Sequence, residues 1–312
     1  MSAAMPGAQR IAYFGKLPGH GDFVRSAGDQ VLVELMDQWL ASVMQRLSAN
    51  SRWRQHYDAC APLDFAFIGT RTRQVVSGHL LASHDQSARR FPFACMAVHQ
   101  VAEPRGFLPC SPLALAPAWA MLAAVAGAGQ PGDCKLAPPL PDPAAAGAAL
   151  DEYFAVASVA SLEAQLDGLP VRRLLLALGL LLSPLRKTAA APSHCLALPL
   201  PREVAMHAPV AAFWMTLAAP MLMRHDMELA LFIAPVGGRP ALVLGLDGAN
   251  PASLQAVIDP EAAHGAMVLL ADCAWVEGTL DKEPSLQRLS ACLEQGQLGL
   301  PSAIELYRET FY

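Results

Sequence analysis

RFPFACMAVHQV, residues 90–101, is apolar at both alternate positions along its length. A strand with one wet face alternates apolar and polar residues, so this pattern predicts a central strand covered on both sides. Pro92 stands at its start, where a missing N–H is tolerated. A doubly covered strand needs helices on both faces of its sheet, and the flanking sequence supplies them. The reading is an α/β fold: a three-layer α-β-α sandwich with a mixed sheet.

Towards the N-terminus, RIAYFG (10–15), DFAFIG (64–69) and QVVSGHLLAS (74–83) read as further strands. Between the first two, Leu32, Met36, Trp39, Val43 and Leu47 recur at helical spacing, with Asp29 as N-cap and Asn50 marking the end. Towards the C-terminus, residues 129–147 form a Pro/Gly-rich connector, followed by helical sequence over 149–166 and again over 171–182. HCLALPL (194–200) reads as a strand, and 208–223 as a helix with Pro209 in its first turn and Val210, Phe213, Trp214 and Leu217 on one face. ELALFIAPV and RPALVLGLDG flank Gly237-Gly238, which predicts an antiparallel hairpin because both centres of a type I′ turn need positive φ. A helix starting at Pro251 and two C-terminal helices (284–295 and 302–310) complete the reading, taken as one domain over residues 1–312 with no internal repeat.

The 312 residues are 54% hydrophobic and only 16% charged, which excludes a disordered chain. Net charge is −5, with +3 in residues 1–110 and −8 in residues 111–312, and this balance argues against a nucleic-acid binder. Mean hydropathy is nevertheless +0.31. A membrane-spanning helix needs about 20 uninterrupted apolar residues. The Leu-rich run at 174–182 is too short, Pro209 and Pro220 punctuate 208–223, and Pro109, Pro112, Pro117, Gly127, Gly129 and Pro131 are expected to interrupt 106–132. The first ten residues carry no secretion-signal pattern. The expectation is a cytoplasmic protein without a membrane span. Its seven cysteines are scattered without a CxxC pair and read as reduced core residues.

The most distinctive motif is GKLPGHGDFVR, Gly15–Arg25. It fails as a phosphate loop, because Lys16 follows the first glycine and no GKS or GKT closes it. It fails as a dinucleotide loop, because no third glycine follows Gly21 and Asp22 would repel a phosphate. No nucleotide or other cofactor is expected. His20 and Asp22, with His56 and Asp58, form HxD-type pairs that a metal-dependent hydrolase would want in one shell, although no helix-spaced pair of the HExxH kind is present. Ser77 and Ser193 lack the GxSxG context of a catalytic serine. Arg89-Arg90, beside Phe91 and Phe93, reads either as a cationic turn suited to an acidic partner or as a structural pair, for example Arg90 with Asp22 or Asp85. Asp22 reads as a cap for local N–H groups or as a partner of an arginine. Trp39 and the other four tryptophans read as core.

Taken together, IAYFGKLPGHGDFVR (11–25), MDQWL (36–40), the run Trp53, Tyr57 and Ala61-Pro62, and HLLASHDQSARRFPF (79–93) resemble the type VI secretion-associated TagF (ImpM) family. In that family a strand leads into GKLPxxGDFVR, a helix carries a DxWL-type segment, and a GRxFP-type motif follows. Here Ala88 stands where glycine is usual, before Arg89-Arg90-Phe91-Pro92. GLDGANPASLQAVID (245–259) also looks like a later family segment. The motifs lie within residues 8–105. The resemblance implies a cytosolic, non-enzymatic post-translational repressor of type VI secretion that engages the forkhead-associated scaffold protein of the system. It makes Lys16, Pro18, Gly21, Asp22, Phe23, Arg25, Trp39, Arg89 and Arg90 the candidate signature or partner-binding residues. A structural component of the secretion baseplate is the other non-catalytic reading.

Overall fold

The computed structural model describes residues 9–129, 136–187, 194–280 and 283–312. The first half runs β1 (Gln9–Arg10), β2 (Ala12–Gly15), β3 (Val24–Arg25), α1 (Gln30–Ser48), α2 (Trp53–Asp58), β4 (Leu63–Gly69), β5 (Gln74–Leu81), β6 (Phe93–Gln100) and α3 (Pro104–Gly127). Next come β7 (Leu136–Ala137), α4 (Pro143–Val156), α5 (Val159–Gln165), α6 (Val171–Leu182), β8 (Cys195–Pro199) and α7 (His207–Leu222). The chain ends with β9 (Glu228–Val236), β10 (Arg239–Gly245), α8 (Pro251–Ile258), α9 (Pro260–Ala266), β11 (Met267–Leu269), α10 (Glu277–Leu280), α11 (Pro284–Leu293) and α12 (Leu300–Phe311).

Nine strands form one sheet in the order β11-β8-β10-β9-β4-β5-β6-β2-β3, while β1 and β7 pair separately. Only β11 with β8 is parallel, so the sheet is mixed, and β9 and β10 form the hairpin expected around Gly237-Gly238, both at positive φ. Strands from both halves share this sheet, since β4 pairs β5 on one side and β9 on the other. Alternate residues feed two cores. Along β9, Leu229, Leu231 and Ile233 face the core built on α3, α6 and α7, while Ala230, Phe232 and Ala234 face the core built on α1 and α8. Along β6, Ala94 and Met96 point one way, and Phe93, Cys95 and Ala97 the other. The sandwich is therefore three layers deep, and the positive hydropathy reflects a sheet with no wet face.

Three helical stretches differ from the sequence reading. Residues 106–127 are not interrupted: α3 runs straight through Pro109, Pro112 and Pro117. A proline leaves the carbonyl four residues earlier without a donor. At buried Pro112 that carbonyl is Leu108 O, and Ser111 Oγ donates to it at 2.9 Å. Residues 149–166 are not one helix but parts of α4 and α5, because Ser158 and Ser161 form a reciprocal capping box that restarts the helix. Helices Pro104–Gly127 and Val204–Leu222 are long and apolar enough to cross a membrane, but 56% and 61% of their apolar windows are buried within this fold. α7 is buried nearly all round, not on one face, as a helix between a sheet and further helices must be. Cys95, Cys110, Cys195 and Cys273 are buried thiols and Cys60 and Cys292 half-buried ones, whereas Cys134, Ser193 and residues 130–135 of the 129–147 connector lie outside the described residues.

Candidate partner-binding site

The signature motif folds as the connection from β2 to β3. Gly15 opens it at φ +136°, paired opposite Phe93, with Pro92 O only 2.0 Å from where a Cβ would stand. Only glycine fits there. Beyond it Lys16 and Leu17 turn inward, and Pro18 to Asp22 are exposed. A second loop, residues 82–92, joins β5 to β6 and lies against the first.

The two loops are cross-braced by side chains. Ser83 Oγ donates to Lys16 O at 2.6 Å, and Gln86 N to His20 O at 2.9 Å. Arg89 Nη2 donates to Gly21 O at 2.8 Å. At the centre sits Asp85, with no exposed surface. Its Oδ1 accepts from Ser87 N and Arg89 N, each at 2.9 Å, and its Oδ2 accepts from Lys16 Nζ at 2.9 Å and Arg89 Nε at 2.6 Å. Burial alone would raise the carboxyl's pKa, but the Lys16, Arg89 and Ser87 donors prevail and hold it well below the usual carboxylate range. Beneath the pair, Phe14 stacks on Phe23 at 5.4 Å, and Phe91 meets both rings edge-on at 5.9 and 4.9 Å. The Lys16 ammonium lies 4.9 Å over the Phe23 ring.

α2 clamps the second loop from outside. Tyr57 Oη donates to Ser83 O at 2.9 Å and accepts from Ser83 N at 2.8 Å. Arg90 grips Asp58 with two parallel bonds of 2.7 and 2.6 Å. The pairing expected of Arg90 with Asp22 or Asp85 is thus corrected: Arg89 takes Asp85, and Arg90 takes Asp58. Asp22 caps a local donor, its Oδ1 accepting from Phe23 N at 2.8 Å.

Residues 12–131 match the family described as "TagF N-terminal domain, Type VI secretion system-associated". These residues are a TagF N-terminal domain. Among solved structures, PA0076 from Pseudomonas aeruginosa PAO1 is 24% identical, over 41% of this chain and 64% of that one, with a TM-score of 0.29. The chain thus spans somewhat less than two thirds of the length of that protein. No curated protein matches the chain.

Within the TagF domain, the candidate residues fall into three groups. Lys16, Phe23, Arg89 and Arg90 brace the loops, as described. Pro18, Gly21 and Arg25 are exposed. Gly21 is not demanded by the turn, since a Cβ there would meet nothing closer than Gln86 Oε1 at 3.9 Å. Trp39 is not a surface contact but core, packed on Phe65, Phe67 and Phe232 with its Nε1 buried and unpartnered. The proposed hydrolase cluster does not assemble. Asp22 and Asp58 have the separate partners already named, and His56 Nδ1 faces Asp259 Oδ1 at 2.9 Å, off the line of a hydrogen bond. Among the described residues no group of three His, Cys, Asp or Glu is placed to hold a metal. Ser77 Oγ lies 2.8 Å from His99 Nε2, but Ser77 has no exposed surface.

Asp85 is the residue that sequence reasoning passed over as a site residue. The available cue was local: an aspartate two and four residues before Ser87 and Arg89 can receive both their N–H groups in a tight turn. That turn needs Ala88 at φ +59°, which explains why glycine is usual there in the family. Ala88→Gly is therefore expected to stabilise the protein by roughly 0.5–1 kcal/mol, after the extra freedom of the unfolded glycine is set against the relief of left-handed strain. The midpoint of urea unfolding checks this, and a lower midpoint contradicts it.

Proposed function

We propose that this type VI secretion-associated protein is a cytosolic, non-enzymatic regulator that represses secretion by binding a protein partner, the forkhead-associated scaffold of the system. The observation that carries the reading is the braced double loop of the TagF domain. Its chemistry-bearing groups, Lys16, Asp85 and Arg89, are engaged with one another, and the brace holds Pro18 to Asp22 and Gln86 to Arg89 out in solvent as one rim. A rim fixed from below presents a contact surface with little ordering entropy left to lose on binding. Arg89 has bonds to Asp85 and Gly21 yet remains mostly exposed, at 60% of its side chain, so its outer face is available to an acidic partner.

The test is made in the host. Deleting the gene is expected to raise secretion activity without changing the amounts of the secretion components, and the tagged protein is expected to co-purify the forkhead-associated scaffold. Unchanged secretion together with no such partner overturns the reading. Stoichiometric co-purification with sheath or baseplate proteins instead would mark it as a structural part.

A further inference from the structure

Far along the chain from the TagF loops, an open hollow of about 670 Å³ lies between the ends of α6, α7, α11 and α12. Leu180, Leu286 and Phe311 give its lining an apolar part, beside the polar Ser183 and Thr310. Its rim carries Arg186, Lys187 and Arg224. Among the described residues none of these three cations forms an ion pair, and Glu283 is the one acid on the described lining.

The cations are brought together by the backbone. His225 Nε2 bonds to Leu185 O at 2.6 Å, joining the end of α7 to the turn that follows α6. The His225 carbonyl is fixed in turn by Thr70 Oγ1 at 2.7 Å. Arg186 and Arg224 are the immediate chain neighbours of this bonded pair, so their attachment points are pinned side by side. A cation at a helix C-terminus is favourable. Three of them around one hollow repel each other, however, and the repulsion is relieved when an anion enters.

We propose that this hollow binds a small phosphate-bearing molecule with an apolar body. Two guanidinium groups and an ammonium match a dianionic phosphate, which accepts bidentate bonds from arginine. The apolar part of the lining, at Leu180, Leu286 and Phe311, meets the rest of the molecule, and the volume suits a small organic ligand.

Phenyl phosphate is the probe, titrated into the whole protein at low salt and followed by calorimetry and by melting temperature. Saturable binding is expected, with a melting temperature that rises with ligand concentration and a gain that shrinks as KCl is added. Arg186→Gln and Arg224→Gln are each expected to weaken binding about tenfold or more, the loss of one charge-assisted contact. Both side chains are exposed, so neither change threatens folding, and Arg71→Gln, at a surface position outside the hollow, is expected to bind like the unaltered protein. The proposal fails if phenyl phosphate gives no saturable signal, or if both arginine variants bind as the unaltered protein does. Benzoate binding as tightly overturns the phosphate assignment, and inorganic phosphate binding as tightly overturns the apolar-body assignment.

Discussion

Asp85→Ala is expected to lower the melting temperature by on the order of 5 °C or more and to abolish capture of the proposed forkhead-associated partner. The carboxylate collects four donors from two loops, two from Ser87 and Arg89 backbone, one from Lys16 and one from the Arg89 side chain. Removing it strands the Lys16 ammonium, whose side chain is 8% exposed, without its anion. Breaking one side of a buried pair is among the costly single changes a protein can suffer. It also releases Arg89, which then has no reason to hold Gly21 O, and the rim from Pro18 to Asp22 loses its support. Thermal melting reads the first effect and co-purification the second. A variant that keeps full partner capture would show that the braced rim is not the contact surface.

The same carboxylate sets an acid limit. Its pKa is depressed in the folded state, so its stabilisation is complete above the unfolded value of about 3.9 and is lost as pH falls below that towards the folded value. Unfolding measured between pH 5 and pH 2 is expected to show stability falling with pH. Asp85→Asn is expected to flatten that fall, and an unchanged slope would assign it to other carboxylates.

The largest expected effect belongs to a truncation. Residues 1–131, which contain the whole matched TagF segment, are expected not to fold alone. β4 would lose β9, its partner over Asp64–Gly69, leaving a bare edge in mid-sheet. Trp39 and Phe65 would lose the Phe232 wall of their core, and α3 would lose α7, the helix it packs along. Exposed strand edges and large apolar patches both favour aggregation. The fragment is expected to elute as aggregate and to melt without a cooperative transition, and a sharp melt of a monomeric fragment would contradict this.

The layers were legible because the relevant signals are local. The doubly apolar pattern of 90–101 became β6, Gly237-Gly238 turned the hairpin, and Asp29 capped α1, accepting from Leu32 N at 3.2 Å. What escaped depends on contacts between distant segments. Prolines in α3 read as breaks because nothing in the sequence announces that Ser111 will occupy the orphaned Leu108 carbonyl. The short edge strands β3 and β11 have no periodicity to read. In the candidate site the signature loop was evident, but its partner Asp85 stands 69 positions away from Lys16, and only the fold brings them together.

The pairing of β4 with β9 also sets a delay during synthesis. β4 ends at Gly69 and β9 begins at Glu228. At about 5–20 residues per second, the ribosome needs roughly 10–30 s to supply the missing strand. Through that interval the TagF segment exists with an open edge and half a core. An unpaired edge of that kind invites pairing with other chains, so the interval before β9 arrives is when the nascent protein is most open to aggregation.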